Sequence, residues 1–163
     1  MLVIGIDPGT KITGYGIIRK KGNNFLYISS GIFNLKLFPD IQTKLKCLYN
    51  DFIKLLDYYN PDSVAIEDIF YSKNVKSTIK LGYVKGAIFL AAIHRGIKVV
   101  EYEPTKVKST VTGNGRATKD SVRKMINCLI DNLPEIKHTD ESDALAIAYC
   151  HITEENFKNF LER

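Results

Sequence analysis

Four carboxylates in this sequence stand where ordinary solvated surface charge is not expected. Asp7 ends the apolar run Leu2–Ile6 and is followed at once by the turn pair Pro8-Gly9. Glu67 ends a second apolar run, SVAIE, in the same manner. Crevices open at the carboxyl ends of strands in a sheet, so two acids at two such ends can converge. Asp140 and Asp143 are three residues apart at the start of a helical pattern and share one of its faces. Convergent carboxylates raise one another's pKa unless a cation neutralises them. Hard oxygen donors with no His or Cys cluster beside them favour Mg²⁺ or Mn²⁺ over Zn²⁺. Two such ions, roughly 4 Å apart, can flank one phosphodiester, one activating water and the other stabilising the leaving oxygen. The chemistry this predicts is metal-assisted phosphodiester hydrolysis. No supported Ser, Cys or Tyr nucleophile is visible, so a one-step attack by water is expected, with no covalent intermediate.

Each acid taken alone has a plainer reading. An Asp before Pro-Gly forms turns. Asp140 beside Thr139 can cap a helix, and Asp143 suits the positive end of one. Glu67 is harder to set aside, because a charge at the end of an apolar strand is costly to bury. Their joint placement is what points to a site.

Basic and aromatic residues follow closely. Phe70 and Tyr71 come just after Glu67, then Lys73, Lys76 and Lys80, at a spacing that presents the lysines as one stripe on a helix. Aromatics beside such a stripe can insert among unstacked bases while lysines hold phosphates. A second basic group, Lys106, Lys108, Arg116, Lys119, Arg123 and Lys124, surrounds the loop Gly113-Asn114-Gly115. His138, near the acids, reads as a solvated loop residue.

The elements that must position these groups follow from periodicity. Apolar runs at Leu2–Asp7, Gly14–Arg19 and Phe25–Leu35, joined by short turns, predict an antiparallel meander. Helical spacing over Ile41–Tyr59 stops at Asn60-Pro61. A strand at Ser63–Glu67, a helix over Asn74–His94 closed by Gly96, and a strand at Ile97–Tyr102 come next. A short helix or turn from Pro104, a helix over Thr118–Leu133 stopped by Pro134, a helix over Thr139–His151 and a polar tail complete the chain. A meander followed by α/β alternation predicts an α/β protein: one mixed five-stranded sheet with helices on both faces, in a single domain over 1–163.

Composition bounds the partners. Hydrophobic residues make up 45% and charged residues 25%, which suits a folded globular chain and not a disordered one. Lys and Arg number 23 against 18 Asp and Glu, a net charge of +5 that tolerates a polyanion. Cys47, Cys128 and Cys150 are odd in number and lack metal spacing, which predicts a reducing, cytoplasmic setting. No signal peptide or membrane span is expected.

At this point the residues resemble a known family. The stretches GIDPGTKITGYG at 5–16, PDSVAIEDIFYSKNVKSTIKLG at 61–82, EYEPTKVKSTVTGNGRATK at 101–119 and DESDALAIAYCH at 140–151 are similar, in order and spacing, to the RuvC family of bacterial Holliday-junction resolvases. The resemblance implies an RNase H-like fold, with Asp7, Glu67, Asp140 and Asp143 as catalytic ligands of two Mg²⁺ ions. It implies that Phe70 contacts bases at the centre of a four-way DNA junction, and that Lys108 and Lys119 lie near the scissile phosphate. It further implies a homodimer that cuts two strands symmetrically, in company with the branch-migration proteins RuvA and RuvB. The helix from Asn74 carries Gly82 and Gly86, small residues that permit close helix approach and suit a dimer interface. Thr10 stands where the family also uses Ser, so the hydroxyl is kept.

Three other readings are open to the same residues. The Asp-x-Gly-Thr turn also occurs in actin-like ATPases and sugar kinases, but these need two phosphate-binding lobes, which 163 residues cannot supply. A resolvase-like nuclease acting on ribosomal RNA precursors would lack the 61–82 and 101–119 matches. A junction binder without catalysis would not need four acids at this spacing.

Overall fold

In a computed structural model that describes residues 1–68 and 74–162, the predicted sheet forms from β1 (Leu2–Asp7), β2 (Ile12–Lys21), β3 (Asn24–Asn34), β4 (Ser63–Glu67) and β5 (Lys98–Tyr102). The strand order is β3-β2-β1-β4-β5. β1 pairs antiparallel with β2, and β2 with β3, while β4 and β5 continue the sheet in parallel. This is the RNase H-like arrangement that the resemblance implies.

The helices are α1 (Ile41–Tyr59), α2 (Val75–His94), α3 (Pro104–Thr112), α4 (Lys119–Leu129) and α5 (Thr139–Leu161). Local chemistry sets their limits. Asp40, Asn74 and Thr118 cap α1, α2 and α4 by accepting from the backbone N–H of Thr43, Ser77 and Ser121. Asn60, at φ 46°, ends α1 in the left-handed region, just before Pro61.

Both faces of the sheet are covered. Ile4, Ile6, Ile17, Val64 and Ile66 point to one side and pack with Phe52, Leu56 and Ile88 of α1 and α2. Val3, Ile18 and Ala65 point to the other and pack with Val107, Val122, Leu145 and Ala148 of α3, α4 and α5. The parity of the strands thus decides whether each strand residue meets α1 and α2 or meets α3, α4 and α5.

Strand limits shift by one or two residues, β2 running Ile12–Lys21, and two helix ends move further. The helix expected over Thr118–Leu133 ends at Leu129. Ile130 turns extended and buries its side chain, and the backbone of Asp131 pairs with β3 through its N–H to the carbonyl of Phe25 at 2.7 Å. An exposed strand edge has captured residues that would otherwise extend a helix. In the other direction, the helix expected to stop at His151 continues to Leu161, so the polar tail is helical.

Candidate active site

Asp7 and Glu67 arrive side by side for a topological reason. β1 and β4 are parallel neighbours in a register that pairs Ile6 with Ile66, so each acid is the next residue beyond a matched pair. α5 brings Asp140 and Asp143 to the same end of the sheet, and glycine is what lets it come close. A Cβ placed on Gly14, the register partner of Asp7, would lie 2.1 Å from the carbonyl oxygen of Asp140. A Cβ on Gly5 would lie 2.0 Å from the carbonyl oxygen of Ala144, and one on Gly16 would meet Leu145 at 2.6 Å. α5 therefore rests on bare backbone of β1 and β2, and the opening turn of α5 is held within range of the strand ends. Glu141 adds a tie, since Ser30 on β3 donates to its carboxylate at 2.6 Å.

The electrostatics follow from this crowding. Burial pushes the Asp7 carboxyl up to about 8, helped by the charges of Glu67, Asp143 and Asp140 and opposed by Lys119. Glu67 is likewise raised, by burial and then by Asp143, against the pull of Lys119, Lys108 and Lys85. Lys119 donates to Asp143 at 2.5 Å, and that hydrogen bond is the largest cause of its raised pKa. Among the described residues, no three acid, His or Cys side chains are close enough together to hold one metal ion. Lysines supply part of the opposing charge, Lys119 for Asp7 and Lys119, Lys108 and Lys85 for Glu67. The donor set nevertheless suits a hard divalent cation: carboxylate oxygens only, like-charged and partly desolvated.

Next to the acids is a cleft of about 240 Å³ in which Glu67, Asp143, Lys108 and Lys119 share the wall with Pro104, Val107 and Val122. A phosphodiester fits such a place, with cations for its oxygens and an apolar side for its sugar. Of the basic group around Gly113-Asn114-Gly115, only Lys108 and Lys119 line this cleft. Lys106 pairs instead with Glu154 of α5 at 2.8 Å, and Arg123 donates to the carbonyl of Ile136 at 2.8 Å. Arg116 is exposed in the loop, where its backbone N–H bonds the Asn114 side chain at 2.9 Å. Lys76 and Lys80 are exposed on α2, and Lys80 opens on a different cleft. Phe70, Tyr71 and Lys73 lie outside the described residues. His138 is exposed at the start of α5, in keeping with its reading as a loop histidine.

One charged residue near the site was not legible as such. Lys85, on α2, is 7% exposed, and its ammonium reaches Asp68 at 3.1 Å and Glu101. It anchors the residue directly after Glu67 to the neighbouring strand. In sequence it sits unmarked inside an amphipathic helix, and only its depth reveals it.

Comparison with known proteins finds matches over most of the chain. The family model for the crossover junction endodeoxyribonuclease RuvC matches residues 3–151. A RuvC crossover junction endodeoxyribonuclease of Geotalea uraniireducens is 44% identical over 151 residues, covering 93% of this chain and 88% of its own length. Among solved structures, Thermus thermophilus RuvC in complex with a Holliday junction substrate superposes with a TM-score of 0.90 at 26% identity, covering 97% of this chain and 96% of that one. The yeast mitochondrial Holliday junction resolvase Ydc2, at 16% identity and a TM-score of 0.72 over 98% of this chain and 82% of its own, shares the fold.

Proposed function

Because the chain belongs to the RuvC family of crossover junction endodeoxyribonucleases, we propose that it resolves Holliday junctions in DNA recombination and repair by paired, symmetric nicks. The observation that carries the reading is the glycine-backed approach of α5, which gathers acids from β1, β4 and α5 at one end of the sheet beside Lys108 and Lys119. Asp7, Glu67, Asp140 and Asp143 would hold two divalent cations, Mg²⁺ with Mn²⁺ as the alternative. When bound, these supply activation of the attacking water and stabilisation of the leaving oxygen.

The chain's own residues do the rest. Binding of a cation at Asp7 requires its carboxyl to lose a proton, so metal uptake releases protons and strengthens as pH rises. Lys119 must give up Asp143, after which its ammonium is free for a phosphate oxygen. Lys108, which lines the same cleft, holds the same phosphate, and Pro104, Val107 and Val122 present an apolar wall beside it. Arg116, Lys76 and Lys80 extend the basic surface for the junction arms, and Phe70 with Tyr71 and Lys73 engages the junction centre.

The protein acts as a homodimer in this reading. On α2, Val75, Ile79, Tyr83, Leu90 and Ile93 are large, apolar and 49% or more exposed, and a Cβ on Gly82 or Gly86 would meet nothing within 4 Å. That face suits a second copy of α2, which would place two sites on strands of like polarity. We place the activity in the cytoplasm beside the RuvA and RuvB branch-migration proteins. No described helix is long and apolar enough to cross a membrane.

The test is cleavage of a labelled four-way junction against linear duplex, with Mg²⁺ and with chelator. Paired symmetric nicks that require the metal are expected. Equal cutting of linear duplex, or preference for RNA, would overturn the reading, and a monomer by light scattering with and without junction would overturn the dimer.

A further inference from the structure

A second cleft, of about 230 Å³, lies on the α1 and α2 side of the molecule. Its wall is built from the turn that follows Asp7, from the start of α1 and from the second turn of α2, which contribute Thr10, Lys11, Asp40, Ile41, Lys44 and Lys80. The lysines come from three separate elements and have no common spacing in sequence, so only the fold brings them to one concavity. Lys44 is half-buried, and its ammonium is turned to the carbonyl oxygen of Thr10 at 3.5 Å.

The charges of this cleft are not balanced by its own acids. Among the described residues, none of Lys11, Lys44 and Lys80 has a carboxylate within ion-pair distance. Asp40 is the acid on the wall; the N–H and hydroxyl of Thr43, at 2.8 and 3.0 Å, hold it ionised as the cap of α1, so its single negative charge offsets one of the three lysines and leaves the other two unbalanced. Three like charges around one hollow repel one another, and an anion seated between them relieves that repulsion. Position narrows the choice of anion: Thr10 and Lys11 stand three and four residues after Asp7, in the turn between β1 and β2, so the cleft adjoins the strand end that carries Asp7.

We propose that this cleft is a phosphate subsite, in which Lys11, Lys44 and Lys80 hold a backbone phosphodiester of the cut strand beyond the scissile one. The assignment rests on the junction-cutting reading and adds to it a means of fixing strand direction. Lys108 and Lys119 grip the strand on the α3 and α4 side of Asp7, and this cleft grips it on the other. Two grips that flank the reacting bond set its register, which one grip cannot.

The test pairs protein and DNA changes in chelator, where cutting is silent. Lys11→Ala, Lys44→Ala and Lys80→Ala are made singly and together. Lys21→Ala and Lys98→Ala, at the opposite ends of the strands, serve as charge-matched controls. The triple variant is expected to lose about tenfold in junction affinity and to lower the salt slope by about one ion, as one phosphate contact requires, while the controls change neither. Junctions carrying a single neutral methylphosphonate near the cut should weaken the wild type at one linkage, and the triple variant should be insensitive to that linkage. A triple variant that matches the controls overturns the subsite while leaving the function intact. So does a methylphosphonate effect that survives in the triple variant. A cleft that takes up inorganic phosphate but shows no preferred linkage marks a free-anion site and overturns the DNA assignment. A wild type with no affinity for junctions overturns both readings.

Discussion

α5 carries two polar clusters that obey opposite rules. At its start, Asp140 and Asp143 crowd toward Asp7, with the Lys119 ammonium bonded to Asp143, and Asp7 is driven up to about 8. About two turns further on, His151 is 1% exposed and lies between the Ser63 hydroxyl and the Tyr102 phenol, each 2.8 Å from a different ring nitrogen. Neutral imidazole has one donor and one acceptor nitrogen, so two hydroxyl groups satisfy it completely. The first cluster is a set of charges waiting for a counter-charge. The second is closed, and it ties α5 to β4 and β5. Polar groups buried for stability arrive with partners, whereas groups buried for chemistry are left in tension.

The comparison breaks most sharply at Asp7. Asp7→Asn should cut junction cleavage by on the order of a thousandfold, through loss of metal-held charge at the reaction centre. Junction binding in chelator should be kept. The same change should raise Tm of the metal-free protein by about 5 °C, since an amide is buried there without the cost of first taking up a proton. The sign follows from the raised pKa: stability associated with protonated Asp7 is present below about 4 and lost as pH rises through about 8. A gel cleavage assay and calorimetry test the two halves, and a variant that loses stability would show that Asp7 is structural.

Gly14→Ala attacks the way the first cluster is assembled. Its new Cβ would lie within 2.1 Å of backbone, so α5 must shift. A loss of about 2–3 kcal/mol by urea denaturation is expected, with weaker Mn²⁺ uptake in the variant that still folds. A neutral result would mean that the helix approach is not what positions Asp140 and Asp143.

His151→Leu should behave as the opposite of Asp7→Asn. It strands the Ser63 and Tyr102 hydroxyl groups and should cost about 2 kcal/mol, with cleavage per folded molecule unchanged. Burial holds the imidazole below its ordinary pKa. The fold keeps it neutral, so its contribution is whole above about 6.5 and is lost as pH falls below that. Denaturation midpoints between pH 7 and 5 should decline in the wild type and stay flatter in His151→Leu.

Lys85→Met sharpens the boundary between the two kinds of cluster. Lys85 is buried and paired, as a stabilising group should be, yet it holds the residue after Glu67. A small stability change of about 1 kcal/mol is expected, because partly exposed carboxylates recover water. A larger fall in kcat than in junction affinity should accompany it, with recovery in Lys85→Arg. Equal activity of the methionine variant would assign Lys85 to packing alone.

Much of this was written along the chain. Continuous apolar runs marked the strands and helical spacing the main helices, because a strand covered on both faces reads as an unbroken apolar run and a helix buried on one face leaves a period in the sequence. Asp7 and Glu67 were visible because a charge that ends an apolar run breaks a pattern, and Asp140 and Asp143 because their spacing puts them on one face at a helix start. Ile130 to Leu133 were misread as helix because the competing attraction, the free edge of β3, is distant in sequence. The apolar period says nothing about α5 beyond His151 either, where the helix runs on with Phe157 and Phe160 exposed.

What the sequence alone determined was which residue types end which elements, and hence which chemistry was possible. Tertiary structure decided the company each residue keeps. It turned Lys106 to Glu154 and Lys119 to Asp143, buried Lys85 between two acids, enclosed His151 between two hydroxyl groups, and gathered Lys11, Lys44 and Lys80 into one cleft. The physical reason is that a charge or hydroxyl group has no period. Its partner is chosen by strand register and helix approach, which join residues far apart along the chain and leave no trace in local spacing.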